Sequence, residues 1–156
     1  MTSNILPDPT RVAIFPKPRP DRLSLPFWDM ARQGVLGLQR CTTCGALHFP
    51  ASPVCPECLS DRQEWIASSG RGTLYSWCRF HKPYWDSVAP AMPYLVAMVR
   101  LDEGPVLITR LVGVSDRAVL QALRLDLPVQ VRFETADDGE FSLPVFALGT
   151  QALEAE

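Results

Sequence analysis

Two cysteine pairs give the clearest structural signal in this chain: Cys41-Thr42-Thr43-Cys44-Gly45 and, separated from Cys44 by ten residues, Cys55-Pro56-Glu57-Cys58. Two residues between thiolates let one tight turn present both sulfurs to a single metal ion, and Gly45 supplies the permissive backbone that such a turn needs. Four thiolates close a tetrahedral shell and leave no position for water. The spacing therefore predicts one structural zinc ion per chain, held by Cys41, Cys44, Cys55 and Cys58.

Two other uses of this region stay open. Iron in the same thiolate cage would make the chain an electron carrier, although no second cofactor signature accompanies it. His48 lies between the pairs and could replace one cysteine, but with four cysteines available we expect a surface histidine. The fifth cysteine, Cys78, shares a strand face with Leu74 and Phe80 by simple alternation, which predicts a buried core thiol. His81 then falls on the opposite face, which disfavours a nucleophilic Cys–His pair.

Composition narrows the classes of protein that the chain can belong to. The 156 residues are enough for one ordinary domain or two small ones, with 47% hydrophobic and 21% charged residues. A net charge of −2 and only two lysines among 15 basic residues argue against nucleic-acid binding through a basic surface. No apolar stretch is long enough to span a membrane, and no signal peptide is apparent. Five cysteines without an export signal indicate a reducing compartment, so we expect a cytoplasmic protein.

The N-terminal third divides into an arm and a metal-binding unit. Six prolines fall within the first 26 residues and exclude regular helix or inner strand, which predicts an extended arm over residues 1–24. Apolar residues at helical spacing predict a short helix over about residues 26–34, followed by a strand that leads into Cys41. We therefore expect a helix plus zinc ribbon over residues 25–67.

The rest of the chain is mainly β. Alternating or continuous apolar runs predict five strands: Thr73–Phe80, Tyr94–Leu101, Val106–Val112, Val129–Phe133 and Phe141–Leu148. A short helix is predicted over Arg117–Leu125, between the third and fourth strands. This count and layout are those of a five-stranded OB-fold barrel. We assign the OB-fold domain to residues 68–150 and expect a frayed tail over 151–156.

The order of these motifs resembles a known family. A short Phe-Trp helix, Leu-Gln-Arg-Cys, the zinc ribbon, Gly-x-Gly-Thr-Leu-Tyr-Ser and Pro-Tyr-Leu-Val-Ala occur together over roughly residues 25–148. The chain thus resembles the acyl-CoA-associated OB-fold proteins that carry an N-terminal rubredoxin-like zinc ribbon. Two positions depart from the family pattern, because Leu59 after the second knuckle and Asp126 before the fourth strand stand where glycine is common.

The resemblance implies an accessory role. Such proteins typically pair with a thiolase-fold catalytic subunit (a thiolase, an acetyl transferase or an aldolase that cleaves steroid side chains) and help it to enclose an acyl-CoA. Some are joined instead to a MaoC-like enoyl-CoA hydratase. The chain carries no recognisable catalytic motif of its own, so we expect it to be inactive alone. By analogy with such complexes we expect an α2β2 assembly with the catalytic subunit. A module that binds single-stranded nucleic acid is the remaining alternative.

Three of the candidate contact residues lie in the loop after the first barrel strand. His81-Lys82-Pro83-Tyr84-Trp85 is aromatic and stiffened by proline, and it occupies the loop with which OB-folds commonly bind ligands. The full set expected to touch either the partner or the acyl-CoA is Phe27, Trp28, Lys82, Tyr84, Trp85, Arg71, Arg79 and Arg100.

Overall fold

The computed structural model describes residues 17–114, 117–136 and 139–149. Most of the predicted arm (residues 1–16 of 1–24) and the predicted tail over 151–156 lie outside these residues. At the start of the described chain, the Nζ of Lys17 lies 3.2 Å from the Oε2 of Glu140. The described part of the chain contains no helix that could span a membrane.

Helix α1 spans Leu25–Arg32 and places its apolar side under the ribbon. Pro26 stands in the first turn, where its missing N–H costs no helical hydrogen bond. The helix ends at Arg32 with Gln33 as its C-cap, and the next residue, Gly34, has a φ of +75°, which glycine adopts without a Cβ penalty. Phe27 and Ala31 are buried, so the predicted short helix is confirmed and faces the core.

The ribbon is a three-stranded antiparallel sheet with the order β2-β1-β3. Its strands are β1 (Gly37–Cys41), β2 (Leu47–His48) and β3 (Gln63–Ala67). The central strand β1 pairs Gly37 with Ala67 at one end and Cys41 with Gln63 at the other. The first metal-binding cysteine therefore stands at the end of the best-supported strand of the ribbon.

The remaining strands close into the predicted five-stranded OB barrel. They are β4 (Arg71–Phe80), β5 (Tyr94–Leu101), β6 (Val106–Val112), β7 (Pro128–Thr135) and β8 (Ser142–Leu148), in the order β4-β5-β6-β8-β7. Closure uses a short parallel contact of β6 with β8 and an antiparallel contact of β4 with β7. Helix α2 (Arg117–Ala122) connects β6 to β7, and a 3-10 helix (Asp86–Ala91) lies between β4 and β5.

A β-bulge in β4 overturns the prediction that Cys78 is buried. The register with β5 shifts between Leu74, which pairs with Val99, and Ser76, which pairs with Met98. Since side chains alternate with period two, one extra residue exchanges the two faces of the strand beyond it. Trp77 consequently packs against the barrel core, and Cys78 is exposed.

Ribbon and barrel share a single hydrophobic core. Leu36 and Leu38 of the ribbon belong to the same buried cluster as Leu74 and Val99 of the barrel. The linker is fixed from the barrel side as well, because the Glu103 carboxylate accepts hydrogen bonds from the Ser69 N–H (2.6 Å) and the Ser68 hydroxyl (3.1 Å). Two units that are successive in the sequence thus form one packed body.

Candidate metal centre and basic cleft

The two cysteine turns have the same backbone hydrogen bonds. The Cys41 N–H donates to the Ala46 carbonyl, and the Gly45 N–H donates back to the Cys41 carbonyl. In the second turn the Cys55 N–H donates to the Ser60 carbonyl (2.8 Å), and the Leu59 N–H donates to the Cys55 carbonyl (2.9 Å). The corresponding distances in the first turn are 2.9 and 2.8 Å. Gly45 and Leu59 therefore occupy equivalent positions, with φ of +79° and +60°.

The four sulfurs are arranged to hold one metal ion. All four Sγ atoms lie within 4.8 Å of one another, with 3.6 Å between Cys41 and Cys58 and 3.7 Å between Cys44 and Cys55. A tetrahedral zinc ion with Zn–S bonds of about 2.3 Å requires sulfurs about 3.8 Å apart, and the Cys41–Cys58 and Cys44–Cys55 distances match this value. Cys41 and Cys55 are buried, whereas Cys44 and Cys58 stand at the surface.

The thiols also differ in their affinity for protons. The Cys44 N–H donates to the Cys41 sulfur and is the main cause that lowers the pKa of Cys41 to about 6. The Ser60 N–H acts in the same direction on Cys58, but the neighbouring Cys44 and Cys41 thiols together with burial outweigh it and raise the pKa of Cys58 to about 12. Thiols this close cannot all ionise without a cation, which is the role that the metal fills.

His48 is not a metal ligand in this arrangement, and it is not the surface residue that the sequence suggested. Its side chain is 8% exposed. One ring nitrogen lies 3.1 Å from the Gln63 Oε1 and the other 3.4 Å from the Pro50 carbonyl. His48 therefore links β2 to β3 behind the metal centre and supports the ribbon.

A second feature is a cleft of about 590 Å³ at the end of β4. It is lined by the continuous segment Cys78, Arg79, Phe80, His81, Lys82, Pro83 and Tyr84. The rings of Phe80 and Tyr84 lie 5.9 Å apart, and Trp85 lies 6.2 Å beyond Tyr84. Tyr84 and Trp85 are 72% and 53% exposed. The cleft therefore joins basic groups to uncovered aromatic rings.

The structure assigns the other candidate contact residues to different places. Arg71 is paired with Asp102 at 3.1 Å, and the guanidinium of Arg100 lies 4.3 Å over the ring of Tyr75. Phe27 is only 7% exposed and packs on Phe49 and Trp65 of the ribbon, while Trp28 packs edge-on against Phe141 of the barrel. Arg79, Lys82 and Tyr84 are thus brought together, with Trp85 beside them, whereas Phe27 and Trp28 join the ribbon to the barrel.

The four-cysteine ribbon and the OB barrel share one hydrophobic core. The protein is therefore a small zinc-ribbon/OB-fold protein. Two family models match it in succession: the rubredoxin-like zinc ribbon domain of ChsH2 over residues 28–64 and the C-terminal OB-fold domain of ChsH2 over residues 65–134. The chain belongs to this ChsH2-type family of DUF35 proteins.

Relatives of this chain are named as subunits of different enzymes or as scaffold proteins. The chain is 36% identical over 134 residues to a probable enoyl-CoA hydratase alpha subunit of Thermomonospora curvata, covering 86% of this chain but only 40% of that protein. It is 30% identical to a DUF35 domain-containing scaffold protein of Methanocaldococcus jannaschii (64% and 71% covered). It is 28% identical to the benzoylsuccinyl-CoA thiolase subunit BbsA of Thauera aromatica (82% of each covered).

A solved structure gives the same family. A chain of the Ltp2-ChsH2(DUF35) aldolase superposes with a TM-score of 0.74 and 34% identity, covering 85% of this chain and 98% of that one. The resemblance predicted from the motifs is therefore confirmed, as are the zinc ribbon and the OB fold.

Proposed function

We propose that this chain is the non-catalytic subunit of a complex whose catalytic subunit has a thiolase fold and acts on an acyl-CoA thioester. The reaction is that of a catabolic thiolase or of an aldolase that shortens a side chain such as that of a steroid. The observation that carries this proposal is the likeness to the Ltp2-ChsH2(DUF35) aldolase, which extends over nearly the whole of that chain. The relative named as a thiolase subunit supports the same division of labour.

The metal centre supports an accessory role. Four cysteine ligands fill the tetrahedral shell, so a zinc ion bound there has no position for a substrate or a water molecule. The ion instead fixes the ribbon, since binding of a structural zinc contributes directly to folding. A cluster of thiols that must remain reduced in order to bind metal also fits the expected cytoplasmic location.

The basic cleft supports a share in binding the acyl-CoA. Its volume lies within the range typical of sites for small molecules. Lys82 and Arg79 can meet the phosphates of a coenzyme A, and the exposed ring of Tyr84 can stack on its adenine. This interpretation predicts that Tyr84→Ala weakens acyl-CoA binding to the complex, while Tyr75→Ala, which also removes an exposed tyrosine but lies outside the cleft, does not.

The hydratase interpretation is the second candidate. It is favoured by the 36% identity to the hydratase alpha subunit, of which this chain spans 40%. In that case the partner would be a MaoC-like hydratase. A single-stranded nucleic-acid module is disfavoured by the net charge of −2, and steeply salt-dependent binding of an oligonucleotide would be needed to support it.

Co-purification tests the proposal most directly. The tagged chain is expressed in the organism that carries its gene, and the proteins bound to it are identified by mass spectrometry together with the metal content. A thiolase-fold subunit and one zinc per chain are the expected result, with turnover of acyl-CoA by the complex and none by the purified chain. Recovery of a hydratase subunit would favour the second candidate, and turnover by the chain alone would exclude an accessory role.

A further inference from the structure

The outer face of strands β4, β5 and β6 is more apolar than an exposed sheet face normally is. Along β5, Leu95, Ala97 and Val99 point into the barrel, so the alternate residues point outward. Those outward residues include Val96 and Met98, although the solvated face of an antiparallel sheet is usually polar. On β6 the outward Ile108 is 71% exposed.

The strand register brings these side chains into contiguous rows. Ser76 pairs with Met98, which pairs with Ile108, and in the next row Cys78 pairs with Val96. Val96 in turn pairs with Arg110 on β6, so the second row ends in a charged residue, and the Arg110 guanidinium forms an ion pair with Glu134. The bulge in β4 is what turns Cys78 onto this face and Trp77 into the core.

Aromatic rings make this face continuous with the basic cleft. Tyr94 on β5 and Phe80 on β4 are stacked with ring centroids 5.3 Å apart and planes within 2° of parallel. Phe80 in turn contacts Tyr84, the exposed aromatic residue of the cleft. We call the three-stranded face together with residues 80–85 the outer apolar surface.

The dimensions of the outer apolar surface indicate a macromolecular occupant. Three strands of about seven residues cover about 14 by 23 Å, or about 320 Å² in projection. A stable protein interface buries about 800 Å² on each partner, so the sheet face is too small alone and requires the loop of residues 80–85 as well. The combination of an apolar sheet face with the exposed rings of Tyr84 and Trp85 has the composition of the core of a protein interface.

The charges around the outer apolar surface specify the partner further. Lys82 lies within its loop, Arg79 precedes that loop at the cleft, and Arg100 stands at the other end of β5 against Tyr75. Among residues 17–114, 117–136 and 139–149 these three cations have no ion-pair partner. We infer that the outer apolar surface is where the catalytic subunit docks, through an apolar patch bordered by carboxylates; this inference rests on the proposed function. Ile108 is the most exposed aliphatic side chain of this surface.

Ile108→Lys tests the inference, with Leu125→Lys as its matched control. Leu125 is 57% exposed and lies in the turn before β7, so the control makes the same chemical change at an exposed leucine outside the outer apolar surface and the metal centre. Both variants are first shown to melt as the wild type does. The dissociation constant of the purified catalytic subunit should then rise at least about tenfold for Ile108→Lys and stay within about twofold for Leu125→Lys.

A photo-crosslinking amino acid at position 108 provides an independent measurement in the assembled complex. A crosslink to the catalytic subunit supports the inference. If the wild type binds a thiolase-fold subunit but Ile108→Lys binds it equally well and position 108 yields no crosslink, the docking surface is wrong and the proposed function stands. A crosslink to a second copy of the chain would also overturn the inference. If the wild type holds no thiolase-fold subunit, the proposed function fails and the inference with it.

Discussion

Replacing Leu59 by glycine is expected to stabilise the zinc-loaded chain by about 0.5–1 kcal/mol. Leu59 has a φ of +60°, in the left-handed region, where contact between Cβ and the carbonyl oxygen costs an L-residue about 1–2 kcal/mol. Its side chain is 75% exposed, so its removal sacrifices little buried area. The greater entropy that glycine loses on folding offsets about 0.5–1 kcal/mol of the relief.

Thermal unfolding at a fixed, saturating zinc concentration measures this effect. A gain of that size raises Tm by about 1–4 °C in a chain of this length. Leu59→Ala removes the side chain but keeps the backbone strain, so its Tm should match that of the wild type. In the equivalent turn, Gly45 has a φ of +79°, and a Cβ added there would meet no atom within 4 Å. Gly45→Ala should therefore lower Tm through backbone strain alone. Equal melting temperatures for Leu59→Ala and Leu59→Gly would refute the reasoning.

Three further predictions concern the metal, the linker and the barrel. Cys44→Ser should abolish zinc binding and with it on the order of ten kcal/mol of folding free energy, whereas serine at the exposed Cys78 should alter neither metal content nor Tm. Burial works to raise the pKa of Glu103, but hydrogen bonds from Ser69 and Ser68 lower it overall. Glu103→Gln should therefore lower Tm by about 2–4 °C at neutral pH. This deficit should shrink as pH falls through the lowered pKa, since a carboxylate with a depressed pKa stabilises the fold only while it is ionised. Gly70→Ala should destabilise by about 1–3 kcal/mol, because its φ is +69° and the new Cβ would lie 2.3 Å from Val131 Cγ1; a Tm equal to that of the wild type would contradict this.

The metal site and the barrel strands were predictable because local spacing determines them. Two cysteine pairs specify a four-thiolate cage whatever surrounds them, and apolar runs bounded by turn residues mark the strands of the barrel. The two positions at which leucine and aspartate replace the glycine common in the family also indicated local backbone structure. Leu59 and Asp126 are the two non-glycine residues with positive φ among the described part of the chain, so the backbone turn is retained where the glycine is not.

The faces of β4 were not predictable, because a bulge leaves no mark in the pattern of residues. The extra residue at Tyr75 and Ser76 is visible only once β5 provides a register. Strict alternation therefore placed Cys78 inside and Trp77 outside, the reverse of the arrangement found. His48 was misplaced for a related reason, since its burial depends on Gln63, which is distant in sequence.

The shared core determines what the zinc ion does for the barrel. Leu36 and Leu38 are almost completely buried among barrel residues, and Trp28 packs against Phe141. Leu36 directly precedes strand β1, which contains Leu38 and ends at Cys41, the first metal ligand. Loss of the metal would release the end of β1 and its pairing with β3, and would thereby loosen one wall of the core on which the barrel depends. Metal binding should consequently be coupled to the stability of the barrel strands rather than confined to the ribbon, and hydrogen exchange of β5 amides with and without zinc would measure that coupling.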